Sequence, residues 1–383
     1  METASDNVGP VSFEFNGKAS EYFSIWIVNV CLTILTLGIY SAWAKVRNNQ
    51  YFYGNTQLDG VSFRYLADPV KILKGRIIAF IAFAAYYFSG MVSPVAAALV
   101  FGILMILTPA FMVMSMSFRM RNSAWRNVRF DFNKDYKKAY LILAMPVVVI
   151  GLYMYASYNL QPTGEEVNSE NMSTILMVAM VGPLAIFLFF PWWEFMINRF
   201  QLNQSSYGKA DFTFGAKAKQ YYFVYIAAIA VFVIGAIAAG AVIAGVAAVS
   251  AAAGSEEAKA GPPMALLIGI WFAILPLYLW MGAFVQARKT NLIVSNITVG
   301  KHKLESDLKV GYMMFLYLTN TLAIAFSAGL LMPWAKVRTA RYKASRTRLL
   351  PAGNLESFVA AEYQAQSALG EEVGEIFDMD LGL

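Results

Sequence analysis

Polar and apolar positions fall in long blocks along this 383-residue chain. Eight apolar segments stand out: Tyr22 to Trp43, Gly75 to Met91, Pro94 to Phe118, Ala139 to Tyr158, Thr174 to Trp193, Tyr221 to Ala253, Met264 to Ala287 and Gly311 to Trp334. Most approach the ~20 residues that carry a helix across ~30 Å of hydrocarbon. The six inner segments pair into three helical hairpins, with tips at Ser89 to Pro94, Asn159 to Ser173 and Gly254 to Pro263. The first and last segments differ. Each has a glycine late in the run, Gly38 or Gly329, and a basic helix-like stretch behind it. Each either spans once or folds back as a short broken hairpin.

The stretches between these segments alternate aromatic, one residue, aromatic, behind a turn. Asn55 to Gly60 precedes Phe63-Arg64-Tyr65, Arg126-Asn127 precedes Phe130-Asp131-Phe132, and Tyr207-Gly208-Lys209 precedes Phe212-Thr213-Phe214. Ser295-Asn296 precedes an aliphatic variant, Ile297-Thr298-Val299, and Phe13-Glu14-Phe15 stands alone before the first helix. Period-two alternation after Asp-Gly, Asn or Gly turns predicts short β-hairpins.

One unit therefore recurs about five times: strand, helical hairpin, strand. Its clearest trace is an echo between the two ends. Asn29 to Leu58 aligns without gaps on Asn320 to Leu349, placing Trp43-Ala-Lys-Val-Arg47 on Trp334-Ala-Lys-Val-Arg338. A proline recurs late in the returning helices, at Pro109, Pro191, Pro276 and Pro333, with Ala42 in the first copy. With Gly38 and Gly329 these are the expected helix breaks, which membrane helices tolerate. If the units arrange around an axis, the first and last copies meet.

Only 14% of residues are charged and 58% are hydrophobic. A soluble domain carries about a quarter charged residues, so a polytopic membrane protein is expected. Lys and Arg gather on the side to which each hairpin returns, while the opposite tips carry Glu165, Glu166, Glu170, Glu256 and Glu257. The positive-inside rule puts the β-hairpins and both termini in the cytoplasm. Residues Met1 to Pro10 are polar and slightly acidic, unlike a signal peptide; insertion is expected to rest on the first apolar segment. The predicted fold is a membrane all-α bundle of about six to eight transmembrane segments. Short cytoplasmic β-hairpins close its inner face. Residues 1–10 form a polar tail, 11–358 the repeated membrane domain, and 359–383 an acidic tail expected to be disordered.

The blocks Phe13-Glu-Phe-Asn-Gly-Lys18, Thr36-Leu-Gly-Ile-Tyr-Ser-Ala-Trp-Ala-Lys-Val-Arg47 and Tyr51-Phe-Tyr-Gly-Asn-Thr56 resemble the YjgN family of bacterial inner-membrane proteins. The resemblance covers roughly Val11 to Phe358. It implies an inner-membrane location and brings no catalytic or ligand residues, because the family has no known activity.

Catalytic templates are missing. The single His302 and single Cys31 build no triad and no multi-ligand metal site, so no enzyme, metal or cofactor is expected. His302, between Lys301 and Lys303, reads as a solvated hairpin residue. Glu194 reads as a local partner of Arg199. Asn29 and Asn320 form the candidate intramembrane polar site, either shared near a pseudo-symmetry axis or given to interhelical hydrogen bonds. Trp43, Trp192, Trp193 and Trp334 are expected interfacial anchors. Lys45, Arg47, Lys336, Arg338, Arg341, Lys343, Arg346 and Arg348 form a cationic collar suited to anionic headgroups or an anion pore mouth. Ala236, Gly240 and Ala244 share one face and permit close helix packing. Two functions stay open. One is a transporter or channel-like protein for a small solute, amphiphile or lipid. The other is a membrane-organising scaffold that binds anionic lipid and partner proteins. Lipids are the expected partners, nucleic acid is not, and homo-oligomers are open.

Overall fold

The computed structural model describes residues 9–159, 169–252 and 264–377. The acidic tips at Glu165, Glu166, Glu256 and Glu257 lie outside the described residues.

Strand, helix, helix, strand follow one another five times. The first unit is β1 (Val11–Phe15), α1 (Ala19–Leu35), α2 (Ser41–Asn55) and β2 (Thr56–Leu58). The second is β3 (Val61–Tyr65), α3 (Pro69–Val92), α4 (Pro94–Arg121) and β4 (Ser123–Trp125). The third is β5 (Val128–Phe132), α5 (Tyr136–Asn159), α6 (Ser169–Asn203) and β6 (Ser205–Tyr207). The fourth is β7 (Ala210–Phe214), α7 (Ala218–Ala252), α8 (Met264–Val294) and β8 (Ile297–Val299). The fifth is β9 (His302–Ser306), α9 (Val310–Phe326), α10 (Met332–Ser345) and β10 (Thr347–Leu350). A last helix, α11 (Leu355–Phe377), follows.

The ten strands form one closed antiparallel barrel. This corrects the predicted all-α bundle with separate hairpins. A two-stranded hairpin leaves both edges unpaired, and such edges seek further strands. Each hairpin pairs with the next, as in Phe63↔Trp125 and Phe130↔Tyr207. Closure comes from the chain ends: β1 pairs with β2 through Phe13↔Leu58 and with β10 through Val11↔Leu349. The fourth hairpin is also re-registered. Ile297-Thr298-Val299 is its first strand, and the second is His302–Ser306.

Alternation sorts the strand residues. Val11, Phe13, Leu58, Phe63, Trp125, Val128, Phe130, Tyr207, Phe212, Leu304 and Leu349 pack together inside the barrel. Their neighbours, including Glu14, Arg64, Arg129, Asp131 and Lys303, fall on the opposite face, the water-facing outer wall. Two of the turns put both central residues at positive φ, Asp59-Gly60 and Arg126-Asn127, which matches the twist of antiparallel strands. Arg126 accepts this strain while held by Asp59 at 2.5 Å and by the Trp125 ring at 4.9 Å.

A ring of five backbone bonds ties the barrel to the helices. The N–H groups of Asn16, Leu66, Asn133, Gly215 and Asp307 donate to the carbonyls of Asn55, Asn122, Gln204, Asn296 and Arg346, at 2.7–2.9 Å. These carbonyls give a common reference level. Thirteen residues before each stands Ala42, Pro109, Pro191, Ala283 or Pro333, and all five are buried. A small or ring-closed residue fits this tight level. Pro276 does not belong to the series; it lies seven residues nearer the hairpin tip than Ala283. Pro333 opens α10 instead of kinking it.

The first and last apolar segments fold back. Each breaks at Leu37-Gly38 or Ala328-Gly329, with φ of 49° and 92° in both copies. Nothing lies near either glycine, so its value is conformational, since Gly enters this region freely. Around the ring, α10 packs on α1, so the two short hairpins are neighbours. Among the described residues, five stretches are long and apolar enough to cross a membrane: all of α3 and α4, and parts of α5, α6 and α7. Helix packing is split into local clusters at the bases of adjacent hairpins, each seeded by the end of a strand such as Phe15, Phe132 or Phe214. The small-residue face of α7 is not a packing seam: Gly240 meets nothing, while Gly235 approaches Leu277 of α8.

Candidate functional site

The candidate residues occupy three levels above the barrel. The lowest is the barrel itself. Its turn-side mouth is covered by α11, where disorder was expected from Val359 onward. Leu355 and Val359 are buried against the lumen residues. The Phe358 ring stacks on Tyr207 and meets His302 at a tilt, at 6.0 and 4.4 Å between centroids. The Glu362 carboxylate accepts from the N–H groups of Lys209 and Ala210, and Gln366 pairs with the backbone of Arg129. Glycine suits Gly208, whose φ of +60° strains other residues and whose Cα side is closely approached by Glu362.

His302 is thus buried, not solvated. Its Nδ1 accepts from the Ala352 N–H at 3.2 Å, and burial pushes its pKa below the usual 6.5. The unfolded chain therefore binds this proton more readily than the folded one. The stability held in the neutral ring is full above pH ~6.5 and declines as pH falls through the window beneath it. We expect thermal melts between pH 5 and 8 to show this acid loss, and His302→Phe to flatten it. An unchanged slope in the variant would assign the effect to other groups.

The middle level holds the charges and tryptophans. Trp43, Trp192 and Trp334 each stand twelve residues before the reference carbonyl, about 18 Å along a helix. Trp43 and Trp334 lie in the first turns of α2 and α10, near the short hairpin tips. Trp193 donates its Nε1–H to the carbonyl of Ile142 on α5. Lys45, Glu194 and Lys336 come two residues later, and Arg47 and Arg338 two after that. Lys45, Arg47, Lys336, Arg341 and Arg346 are exposed; Arg338 and Lys343 are partly covered. Arg348 does not join this level: it sits on the barrel wall, paired with Glu305 at 2.8 Å.

Glu194 reaches across helices instead of to Arg199. It takes the Lys289 ammonium of α8 at 2.8 Å and the Tyr225 hydroxyl of α7 at 2.5 Å. Sequence spacing gave no hint of this contact, because its three members lie on three helices of two units.

The two asparagines are buried but not joined. Asn29 Nδ2 donates to Asn48 Oδ1 at 3.2 Å on the returning helix of its own hairpin. Asn320 Nδ2 donates at 3.2 Å to Thr339 Oγ1, the matching position, and at 3.4 Å to the Ala335 carbonyl. Asn320 Oδ1 accepts from Arg338, whereas Asn29 Oδ1 is buried without a partner. Each amide therefore pins one short hairpin. Asn320→Leu should cost about 1 kcal/mol more than Asn29→Leu, since it removes more satisfied bonds. Paired melting curves check the order; equal losses would contradict it.

The third level is apolar. The short hairpin tips expose Leu37 at 95% and Phe326 at 88%. Above the charges, α3 and α4 expose Phe80, Phe83, Leu99 and Ile106. Apolar surfaces of this extent, on helices long enough to cross a bilayer, match a lipid surrounding. A polar barrel beneath apolar helices long enough to span a bilayer defines an integral membrane protein.

The family follows from comparison. The model described as "Bacterial protein of unknown function (DUF898)" matches residues 10–376, and the chain belongs to that family. The inner membrane protein YjgN of Escherichia coli (strain K12) is 27% identical over 207 residues, 51% of this chain and 50% of that protein. Its counterpart in Salmonella typhimurium is 29% identical over 143 residues, 37% and 36% of the two chains. The chain thus spans about half the length of the first of these relatives. The resemblance drawn from the Thr36–Arg47 block holds. No solved structure matches the chain.

Proposed function

We propose that this is a non-enzymatic inner-membrane protein that holds anionic lipid and organises the bilayer around its ring of hairpins. The observation that carries this reading is the barrel: its lumen is filled by aromatic and aliphatic side chains and its turn-side mouth is covered by α11. Such a barrel is a rigid base for lipid-facing hairpins and a poor water path. Its five units are copies of one repeat. The barrel and both termini face the cytoplasm, because the basic residues gather on the barrel side. Anionic headgroups meet the cations at Lys45, Arg47, Lys336 and Arg338, each worth about 1 kcal/mol near the surface. Nucleic acid has no part in it.

A second reading, passage of an amphiphile, is favoured by one feature. The two adjacent short hairpins have helices of 14–17 residues, against 24–35 in the others. They leave one side of the ring shallower, and lipid enters there. Liposomes loaded with dye and ions, and carrying labelled lipid, separate the two. The scaffold reading expects retained anionic lipid and no flux. Ion or dye flux overturns it, and flux of labelled lipid alone favours the second.

A further inference from the structure

We infer that α10 carries a built phosphate site, filled by an anionic lipid headgroup or by free phosphate, and that the third unit repeats it. This deepens the lipid reading but fails separately from it. A cavity of about 670 Å³ opens on one face of α10, lined by Lys18, Tyr312, Trp334, Arg338, Arg341 and Ser345 among others. No carboxylate lines it. Lys18, at its edge, is paired with Glu21 at 3.5 Å.

Both guanidinium groups are fixed by neutral partners. Arg338 donates through Nη1 to Thr319 Oγ1 at 2.6 Å and to Asn320 Oδ1 at 3.4 Å, and lies 5.0 Å from the ring centroids of Phe315 and Trp334. Arg341 donates through Nη2 to the Gly17 carbonyl at 2.9 Å. Neither has an acidic partner among the described residues. Each keeps Nε and one terminal nitrogen free of acceptors among the described residues. Two oriented guanidinium groups with spare donors match the oxygens of a phosphate. The cavity lies just below the tryptophan level, where a headgroup sits while its chains run upward.

The third unit supports this independently. A second cavity, about 380 Å³, is lined by Lys138, Met145, Met196, Arg199, Phe200 and Asn203 among others. Counted from the reference carbonyls, Arg199, Phe200 and Asn203 stand where Arg341, Tyr342 and Ser345 stand. Counted from the strand ends, Lys138 stands where Tyr312 stands. The same groove recurs with a more apolar lining and keeps an arginine in it, while its Lys138 is paired with Asp135 at 2.9 Å.

The test uses the full chain in detergent micelles doped with phosphatidylglycerol or phosphatidylcholine, and separately with inorganic phosphate. Retained lipid is counted by native mass spectrometry and binding is read from melting shifts. Phosphatidylglycerol should be preferred, and Arg338→Gln with Arg341→Gln should weaken it at least tenfold. Arg341→Gln alone, which gives up only the Gly17 bond, should weaken it about threefold. Lys303→Gln, on the outer wall of the barrel and outside the cavity, should change it less than twofold. Stabilisation by inorganic phosphate that the same variants abolish supports the site with a soluble ligand. Undiminished phosphatidylglycerol binding in the well-folded variants overturns the site and leaves the lipid reading standing. No phosphatidylglycerol preference and no stabilisation by inorganic phosphate in the unaltered chain overturn both.

Discussion

Trp125→Ala is expected to lower the stability of the chain by about 3–5 kcal/mol, the usual cost of emptying a large aromatic from a packed core. Trp125 is 4% exposed in the barrel lumen. Its ring lies 6.0 Å from those of Phe63 and Tyr207, its Nε1–H donates to the Val61 carbonyl, and its own carbonyl takes the Tyr207 hydroxyl. The loss reaches β3 and β4 of the second unit and β6 of the third at once. Thermal unfolding in detergent, followed by near-ultraviolet circular dichroism, measures it. Trp43→Ala, near a hairpin tip, is the control and should cost far less. If the two variants melt alike, the barrel is not what holds the units together.

Lys289→Met should be the other severe change. Among the described residues it leaves the Glu194 carboxylate, at 17% exposure, with only the Tyr225 hydroxyl between three helices. Removing one partner of a well-covered ion pair costs about 3 kcal/mol or more, because the remaining charge is stranded. Glu194→Gln with Lys289→Met should regain most of the loss. A double-mutant cycle gives the coupling. Additive losses would mean that water already screens the pair.

The local order was legible. Period-two alternation marked Phe63 to Tyr65, Phe130 to Phe132 and Phe212 to Phe214, and Asp59-Gly60 marked a turn that does take positive φ. The gap-free echo placed Gly38 opposite Gly329, and both break their helices identically. Barrel closure was not legible. Each strand is three to five residues long, so its pattern specifies two faces but not which distant edge it joins. The fourth hairpin misled because His302 and Leu304 replace the aromatic pair, moving the visible alternation to the wrong strand. His302 itself was misread from its two lysine neighbours, of which Lys301 lies in the turn and Lys303 on the opposite face of the strand. The α11 cap was hidden by its acidic composition; the informative signal was Leu355, Phe358, Val359 and Glu362 on one helical face. In the candidate site, the basic residues were legible one by one. Which are held by neutral acceptors, as Arg338 and Arg341 are, and which by Glu305, as Arg348 is, depends on contacts far apart in the chain.

The pairing of β1 with both β2 and β10 has a consequence for how the protein is made. Translation delivers one flank of β1 early and the other only after some 330 further residues have emerged. Until then every growing chain displays a raw strand margin, the kind of surface that recruits strangers. A ribosome that stops short of Thr347 would therefore release not a smaller working protein but an adhesive one, and quality control should clear it.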